Sequence, residues 1–244
     1  GLFYVCRLSI NVLKKSIVDD GFLTESELGI IGSALFFAYA IGKFVNGFLA
    51  DRVNVRYFMA ASLLVCAIAN AVLGLRVPFI FFVILWALNG WFQSAGAPCS
   101  IISIKRWFGN KGFGTMYGFW SASHNIGEAM TFVVTAFVVG ALGWQAGFLS
   151  AAGMGLLGVI IIFLLLKPFQ VAGEENMTTA EKQKNIGKKQ WEVLKTPIIW
   201  VLALSSAFMY IARYAINSWG IFYFEAEKGY SVEQAALMIS ISSI

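Results

Sequence analysis

The stretch Tyr210-Ile211-Ala212-Arg213-Tyr214-Ala215-Ile216-Asn217 places an arginine inside an apolar segment that runs from about Ile198 to Phe224. That segment is long enough to cross a membrane. A second stretch near the other end of the chain, Tyr4-Val5-Cys6-Arg7-Leu8-Ser9-Ile10-Asn11, has Tyr, Arg, Ile and Asn at the same four of its eight positions. The two arginines are 206 residues apart. This repeat predicts a duplicated membrane domain with one intramembrane arginine in each half.

The repeat continues beyond the two octapeptides. Gly21 precedes Thr24-Glu25-Ser26-Glu27, and Gly229 precedes Ser231-Val232-Glu233-Gln234. A hydroxyl residue followed three positions later by Glu or Gln is typical of a helix start. The two predicted caps are 207 residues apart and the two glycines 208. Because these offsets nearly equal that of the arginines, we interpret both regions as copies of one unit.

The composition is that of an integral membrane protein. Hydrophobic residues make up 59% of the chain and charged residues 13%, whereas soluble domains have about 25% charged residues. The apolar runs are continuous rather than alternating, which favours an all-α protein over a transmembrane barrel. The net charge of +5 comes from basic residues in short loops between apolar runs. We therefore expect a lipid bilayer as partner, and no nucleic acid.

Eight membrane helices are predicted, of which the first and the last are incomplete. The first apolar segment ends near Lys14-Lys15, the seventh follows Pro197 and the eighth begins at Ser231. The second to sixth segments comprise residues of about 28–50, 57–75, 79–104, 113–140 and 144–166. Residues 1–166 are expected to form an N-terminal six-helix domain that lacks the start of its first helix. Residues 167–196 are expected to form a cytoplasmic linker with a short surface helix and a cap at Thr178. Residues 197–244 are expected to begin a C-terminal domain, so we interpret the chain as a piece of a longer protein.

Lysines and arginines are distributed unequally between the predicted loops. Loops after even-numbered helices hold Arg52, Arg56, Lys105, Arg106, Lys111, Lys167, Lys182, Lys184, Lys188, Lys189 and Lys195, and loops after odd-numbered helices hold Lys14, Lys15, Arg76 and Lys228. Because basic loops remain on the cytoplasmic side, the even side is predicted to be cytoplasmic. The second copy then has the same orientation as the first, which is the parallel repeat of transporters built from two six-helix halves.

Few ionisable residues lie inside the predicted helices, namely Arg7, Lys43, His124, Glu128 and Arg213. A charge near mid-membrane costs about 2.5–3.5 kcal/mol on insertion scales, so each charge needs a partner or a function. With a neutral histidine, the three cations and one carboxylate leave a net charge of about +2. A dianion such as phosphate or a phosphate ester would balance it, and arginine binds phosphate oxygens with two parallel hydrogen bonds. Alternatively, these charges pair with acids in a missing part of the chain.

Aromatic residues accompany the charges at helical spacing. Trp120, His124 and Glu128 are four residues apart and share one helix face. Tyr4 and Tyr210 each precede an arginine by three residues, and Tyr39 precedes Lys43 by four. These side chains either line a polar cavity or take part in ordinary helix packing.

Glu128 admits two interpretations from the sequence. With His124 it could relay protons, or it could neutralise Lys43 or an arginine. No nucleophile–base pair, metal cluster, nucleotide-binding loop or cofactor motif occurs in the sequence. We therefore expect a protein that is not an enzyme and that uses neither metal nor cofactor.

The turn Gly47-Phe48-Leu49-Ala50-Asp51-Arg52-Val53-Asn54-Val55-Arg56 joins the second and third predicted helices. Gly47 is expected to permit close helix approach. Asp51 is expected to cap the next helix or to pair with Arg52 or Arg56. Such a cluster either latches one conformation or is an ordinary solvated loop.

The Gly-x-x-x-Asp-Arg-x-x-x-Arg pattern of this turn resembles a signature of the major facilitator superfamily. Stretches 39–44, 88–93, 123–127 and 210–214 are similar to those of the organophosphate:phosphate antiporter family, which includes glycerol-3-phosphate and hexose-6-phosphate transporters. The resemblance implies the all-α major facilitator superfamily fold with two six-helix halves. It also implies import of a phosphate ester in exchange for inorganic phosphate by alternating access. A monomer is expected, in the cytoplasmic (inner) membrane if the source is bacterial.

The same resemblance implies roles for individual residues. Arg7 and Arg213 match the phosphate-binding arginines of the family, and other cavity residues match Tyr4, Tyr39, Lys43, Trp120, His124 and Tyr210. Leu8 replaces a lysine that is usual in the family, and Glu128 replaces a small residue of the glycerol-3-phosphate carriers. Two alternatives therefore stay open: a proton-coupled organic anion symporter that uses Glu128 and His124, and a membrane sensor of hexose phosphate with little flux.

Overall fold

The computed structural model describes residues 2–166 and 179–243, which are almost entirely helical. The helices in these residues are α1 (Leu2–Asp19), α2 (Glu25–Ala50), α3 (Val55–Leu73), α4 (Phe79–Gln93), α5 (Gly96–Leu142), α6 (Trp144–Leu165), α7 (Thr179–Lys195), α8 (Pro197–Lys228) and α9 (Val232–Ser243). The long helix α5 is interrupted at Gly109, whose φ of 57° and ψ of −158° are not helical.

Six helical segments in the described residues are long and apolar enough to cross a membrane. They comprise residues 25–50, 55–73, 79–109, 111–142, 144–165 and 197–228. Large apolar side chains of these segments, such as Phe37, Phe137 and Leu165, are exposed on the outside of the helices, as lipid contact requires. The protein is therefore an integral, multi-pass membrane protein.

Helix α1 lies at the centre of the described bundle. It packs against α5, α6 and α8, and its residues from Cys6 to Lys14 are all buried. A helix that is buried on every side has no lipid-facing stripe. Its polar residues consequently face other helices, and their partners are set by tertiary packing.

Small residues allow the helices around α1 to approach closely. A Cβ atom added at Gly90 of α4 would lie 2.5 Å from the Leu35 carbonyl oxygen of α2. One added at Gly155 of α6 would lie 2.9 Å from both Ala67 of α3 and Cys6 of α1. Such contacts are typical of helix–helix packing in membranes, where the hydrophobic effect does not drive association.

The helix-start predictions at Thr24 and Ser231 are confirmed. The Thr24 hydroxyl accepts a hydrogen bond from the Glu27 amide, and the Glu27 carboxylate accepts one from the Thr24 amide. Ser231 and Gln234 make the corresponding pair of contacts at the start of α9. The cap predicted at Thr178 lies outside the described residues, as do residues 167–178 of the predicted linker.

Two predicted boundaries are wrong. The first helix does not end near Lys14-Lys15 but continues to Asp19, because Lys14 is buried against α8 and Lys15 pairs with Asp19 one turn later. The segment 105–111, predicted as a loop, is helical except at Gly109. Without Lys14, the loops after odd-numbered helices still hold fewer lysines and arginines than the loops after even-numbered helices, so the predicted orientation is unchanged.

Candidate functional site

A cavity of about 510 Å³ is lined by residues of α1 to α6 and of α8. It contains every residue that the sequence analysis assigned to ligand binding, together with Glu128. These residues are Tyr4, Arg7, Tyr39, Lys43, Trp120, His124, Glu128, Tyr210 and Arg213. Residues that are more than 200 positions apart in the chain thus line one space.

Arg7 projects from α1 and is 6% exposed. Its guanidinium carbon lies 4.7 Å from the ring centre of Tyr4, 5.1 Å from that of Tyr39 and 5.8 Å from that of Tyr214. Among the described residues no carboxylate lies within 4.0 Å of it, and its Nε has no hydrogen-bond partner there. Arg7 is a buried cation that is stabilised by π-faces and retains an unused donor.

Arg213 projects from α8 and has a different environment. Its Nη2 donates to the Glu128 carboxylate at 2.9 Å and to the Asn125 side-chain oxygen at 2.9 Å. The second carboxylate oxygen of Glu128 accepts a hydrogen bond from Asn217. Of the partners considered for Glu128, the structure therefore selects Arg213 rather than Lys43.

Lys43 and the predicted aromatic residues surround the two arginines. The ammonium of Lys43 lies 5.5 Å from the ring centre of Tyr39 and 6.0 Å from that of Tyr210. His124 contacts Trp120 at 4.2 Å between ring centres, and its Nδ1 lies 2.6 Å from the Trp120 carbonyl oxygen. In the described residues the imidazole is thus bonded within its own helix and not to Glu128.

Sequence reasoning missed Asn125, Tyr214 and Asn217, which contact one of the two arginines or Glu128. Asn125 directly follows His124, and Tyr214 directly follows Arg213, so both lay within stretches already singled out. Asn217 was one of the four repeated positions. The signal for it was its spacing of four residues from Arg213, which places both side chains on one face of α8.

The predicted latch residues form a different set of contacts from the one expected. Asn54, not Asp51, caps α3. Gln190 of α7 donates to the Asp51 carboxylate at 2.9 Å and accepts from Arg52 at 2.9 Å. Arg56 donates to a carbonyl oxygen of α6.

At Gly47, an added Cβ atom would meet nothing within 4 Å in the described part of the chain, so the expected close helix approach is not seen there and stays a prediction. The turn is connected to α7 through Gln190, a contact that the sequence did not predict.

Beyond the cavity, the polar face of α1 continues to Lys14, which is 2% exposed. Its ammonium donates to the carbonyl and hydroxyl oxygens of Ser218 and lies 3.8 Å from the ring centre of Trp219. A small space of about 30 Å³, lined by apolar side chains together with Arg7, Asn11 and Lys14, lies next to it. Lys14 therefore joins α1 to α8 at one end of the site.

Residues 2–244 match the family "Major Facilitator Superfamily". The chain belongs to this superfamily. The expected fold is thereby confirmed, and the repeated arginines of this major facilitator lie on its α1 and α8.

Several curated proteins resemble this major facilitator along almost its whole length. A "Probable hexose phosphate transport protein" of Chlamydia trachomatis serovar D is 34% identical over 99% of the chain and 58% of the relative. The "Membrane sensor protein UhpC" of Salmonella typhimurium is 30% identical over 98% of the chain and 58% of the relative. The "Glycerol-3-phosphate transporter" of Bacillus subtilis is 28% identical over 96% of the chain and 56% of the relative. The chain spans somewhat more than half the length of these relatives.

A solved structure has the same fold. A bacterial homologue of the human lysosomal transporter Spinster, in an inward-facing and occupied conformation, superposes with a TM-score of 0.80 at 18% identity. The match covers 99% of this chain and 55% of the solved one. The resemblance to organophosphate transporters comes from the sequence relatives, and this structure supports the fold.

Proposed function

We propose that this major facilitator is part of a transporter that imports an organic phosphate ester, of the glycerol 3-phosphate or hexose 6-phosphate type, in exchange for inorganic phosphate. The observation that carries the proposal is the pair of arginines from the repeated octapeptides in one cavity. Arg7 has no carboxylate partner in the described residues and an unused Nε donor. A phosphate group supplies both the charge and the acceptors that such a guanidinium lacks.

In this proposal the two arginines bind the phosphate from opposite sides. Arg7 belongs to the N-terminal domain, residues 1–166, and Arg213 to the C-terminal domain that begins at residue 197. A phosphate held by both joins the domains, so binding favours closure around the ligand and rocking of one domain against the other. Lys43, His124 and the aromatic residues around them complete the cavity, and the protein acts as a monomer.

Phosphate counterflow tests the proposal directly. The full-length protein is reconstituted into liposomes loaded with unlabelled phosphate, and uptake of labelled phosphate is followed with no proton gradient. We expect fast uptake that glycerol 3-phosphate or glucose 6-phosphate inhibits. Inhibition by one ester would identify the substrate. Uptake that requires a proton gradient would instead support a symporter that uses Glu128 and His124.

A second candidate function is a membrane sensor of hexose phosphate. It is favoured by the similarity to the sensor UhpC, which is as extensive as that to the transport proteins. A sensor would bind the ester in detergent with an affinity similar to that of a carrier but would exchange phosphate slowly. Ester binding without counterflow would therefore support the sensor.

A further inference from the structure

Glu128 is the acid of the cavity, and both of its oxygens are engaged. It is 2% exposed, with one oxygen bonded to Arg213 of α8 and the other to Asn217 of the same helix. The contact to Arg213 uses a single guanidinium nitrogen, Nη2, and the arginine side chain is 40% exposed. The other donors of this guanidinium make no contact with Glu128, but because the group is rigid and planar, the bond to Glu128 also sets the direction in which they point.

The two arginines consequently differ in charge compensation. Glu128 neutralises Arg213, whereas Arg7 and Lys43 have no carboxylate within 4.0 Å in the described part of the chain. A phosphate that enters the cavity is attracted mainly to the Arg7 and Lys43 side. To bind Arg213 as well, it must compete with a carboxylate that is already in place and needs no entropy loss to bind.

We infer that Glu128 is a displaceable counter-ion of Arg213, a positioning residue that limits how tightly the site holds phosphate. This inference rests on the proposed function. When phosphate takes over Arg213, Asn217 keeps its hydrogen bond to Glu128, so the displaced carboxylate is not left without a donor. The spacing of four residues between Arg213 and Asn217 makes this exchange possible, because both side chains lie on the same face of α8.

Competition between Glu128 and phosphate for Arg213 affects how fast a carrier releases its ligand. A site that held phosphate with three uncompensated cations would bind it tightly and release it slowly, and a carrier must release its ligand on the other side. A tethered carboxylate lowers the affinity and, once the ligand leaves, restores the charge balance of Arg213. Glu128 is thus expected to increase the rate of exchange at the expense of affinity.

Glu128→Gln in the full-length protein tests the inference, because this change removes the charge and keeps the shape. Inorganic phosphate binding is measured by calorimetry in detergent, and phosphate exchange is measured in liposomes. We expect phosphate to bind about tenfold or more tightly, as coupling energies of close charge pairs imply, and exchange at saturation to become slower. Glu225→Gln is the matched control, since Glu225 lies on α8 and does not line the cavity; it should change neither value.

A double-mutant cycle provides a second test, in which phosphate binding is compared between Arg213→Gln and the variant that also carries Glu128→Gln. Arg213→Gln alone leaves the Glu128 carboxylate bonded to Asn217 but without a cation, so its charge repels the anion. This variant should therefore weaken phosphate binding more than Arg213→Gln combined with Glu128→Gln. Unchanged or weaker binding in Glu128→Gln, or a double variant that binds no better than Arg213→Gln, would overturn the inference. Absence of phosphate binding to the unchanged protein would overturn the proposed function, and this inference with it.

Discussion

Arg7 and Arg213 occupy equivalent positions of the repeated octapeptides but are stabilised differently. Arg213 has a carboxylate at 2.9 Å. Arg7 has three tyrosine rings within 5.8 Å, and cation–π contacts contribute up to about 2 kcal/mol each when desolvated. Together the rings can offset the cost of about 2.5–3.5 kcal/mol for a charge at this depth. Arg7 can therefore stay charged without a carboxylate partner, which suits a residue that binds an anion.

Replacing either arginine by lysine keeps the charge and removes the planar pair of donors. We expect Arg7→Lys and Arg213→Lys each to reduce phosphate exchange about tenfold or more, because lysine cannot bind two phosphate oxygens in parallel. Counterflow in liposomes measures the effect, with the amount of inserted protein as reference. Arg76→Lys is the control, since Arg76 is partly exposed and pairs with Asp20. Normal exchange in both arginine variants would exclude the arginine pair as the phosphate site.

At the scale of helices, glycines that look alike in sequence have different roles. Gly90 of α4 lies against the backbone of α2, whereas Gly47 of α2 has open space where a side chain would begin. A contact of 2.5 Å to a carbonyl oxygen cannot be relieved by rotating a side chain. The close approach of α2 and α4 therefore depends on Gly90.

Gly90→Ala is expected to lower the thermal stability of the protein in detergent, corresponding to about 1–3 kcal/mol for an overpacked contact. Gly47→Ala is the matched control and should be neutral or slightly stabilising, because alanine is the better helix former. Melting curves of both variants would provide the comparison. Equal stability of the two variants would show that α2 and α4 can separate without cost.

Gln190 connects α7 to the end of α2 and to the turn that follows it. It uses both of its polar atoms on the turn between α2 and α3, with a third contact at the Phe48 carbonyl oxygen. Gln190→Ala should loosen α7, and hydrogen exchange of α7 amides should become several-fold faster, as expected for loss of about 1 kcal/mol per hydrogen bond. Lys188→Ala on the same helix serves as control. Unchanged protection in Gln190→Ala would mean that apolar contacts alone hold α7.

At the scale of the whole molecule, Lys14 lies where α1 meets α8 on the side opposite the predicted cytoplasmic loops. Burying an ammonium costs several kcal/mol. Two charge-assisted hydrogen bonds at about 1.5–3 kcal/mol each and one cation–π contact offset that cost approximately. If the protein is the proposed transporter, this near balance is expected to let the contact between the two helices open and close.

Lys14→Met should shift the balance towards the closed contact, because an apolar side chain buries without desolvating a charge. Replacement of buried charges by apolar residues often stabilises the buried state by about 1–4 kcal/mol. The reporter is Ile221→Cys, a buried position on α8, labelled with a membrane-impermeant maleimide. We expect labelling and phosphate exchange to slow about tenfold in Lys14→Met, and neither to change in Lys15→Met. Faster labelling would show that Lys14 holds this end closed.

The sequence by itself determined the class of protein, the approximate positions of most membrane helices and the charged and aromatic residues that line the cavity. These features depend on local hydrophobicity and on helical spacing, and both can be counted along the chain. The repeat related Arg7 to Arg213, and the family resemblance predicted that Lys43, His124 and the aromatic residues belong to the same site. All of them line one cavity in the structure.

Only the tertiary structure decided which polar groups meet. Helical spacing shows which residues share a face, but it does not show which helix approaches that face or how closely. For this reason the sequence left Glu128 with several possible partners, whereas in the structure it bonds to Arg213 and Asn217 of α8. The sequence also placed Lys14 in a loop although its partner lies 204 residues away. The pairing of Glu128 with Arg213, the burial of Lys14 and the difference between Gly47 and Gly90 all arise from distances between helices.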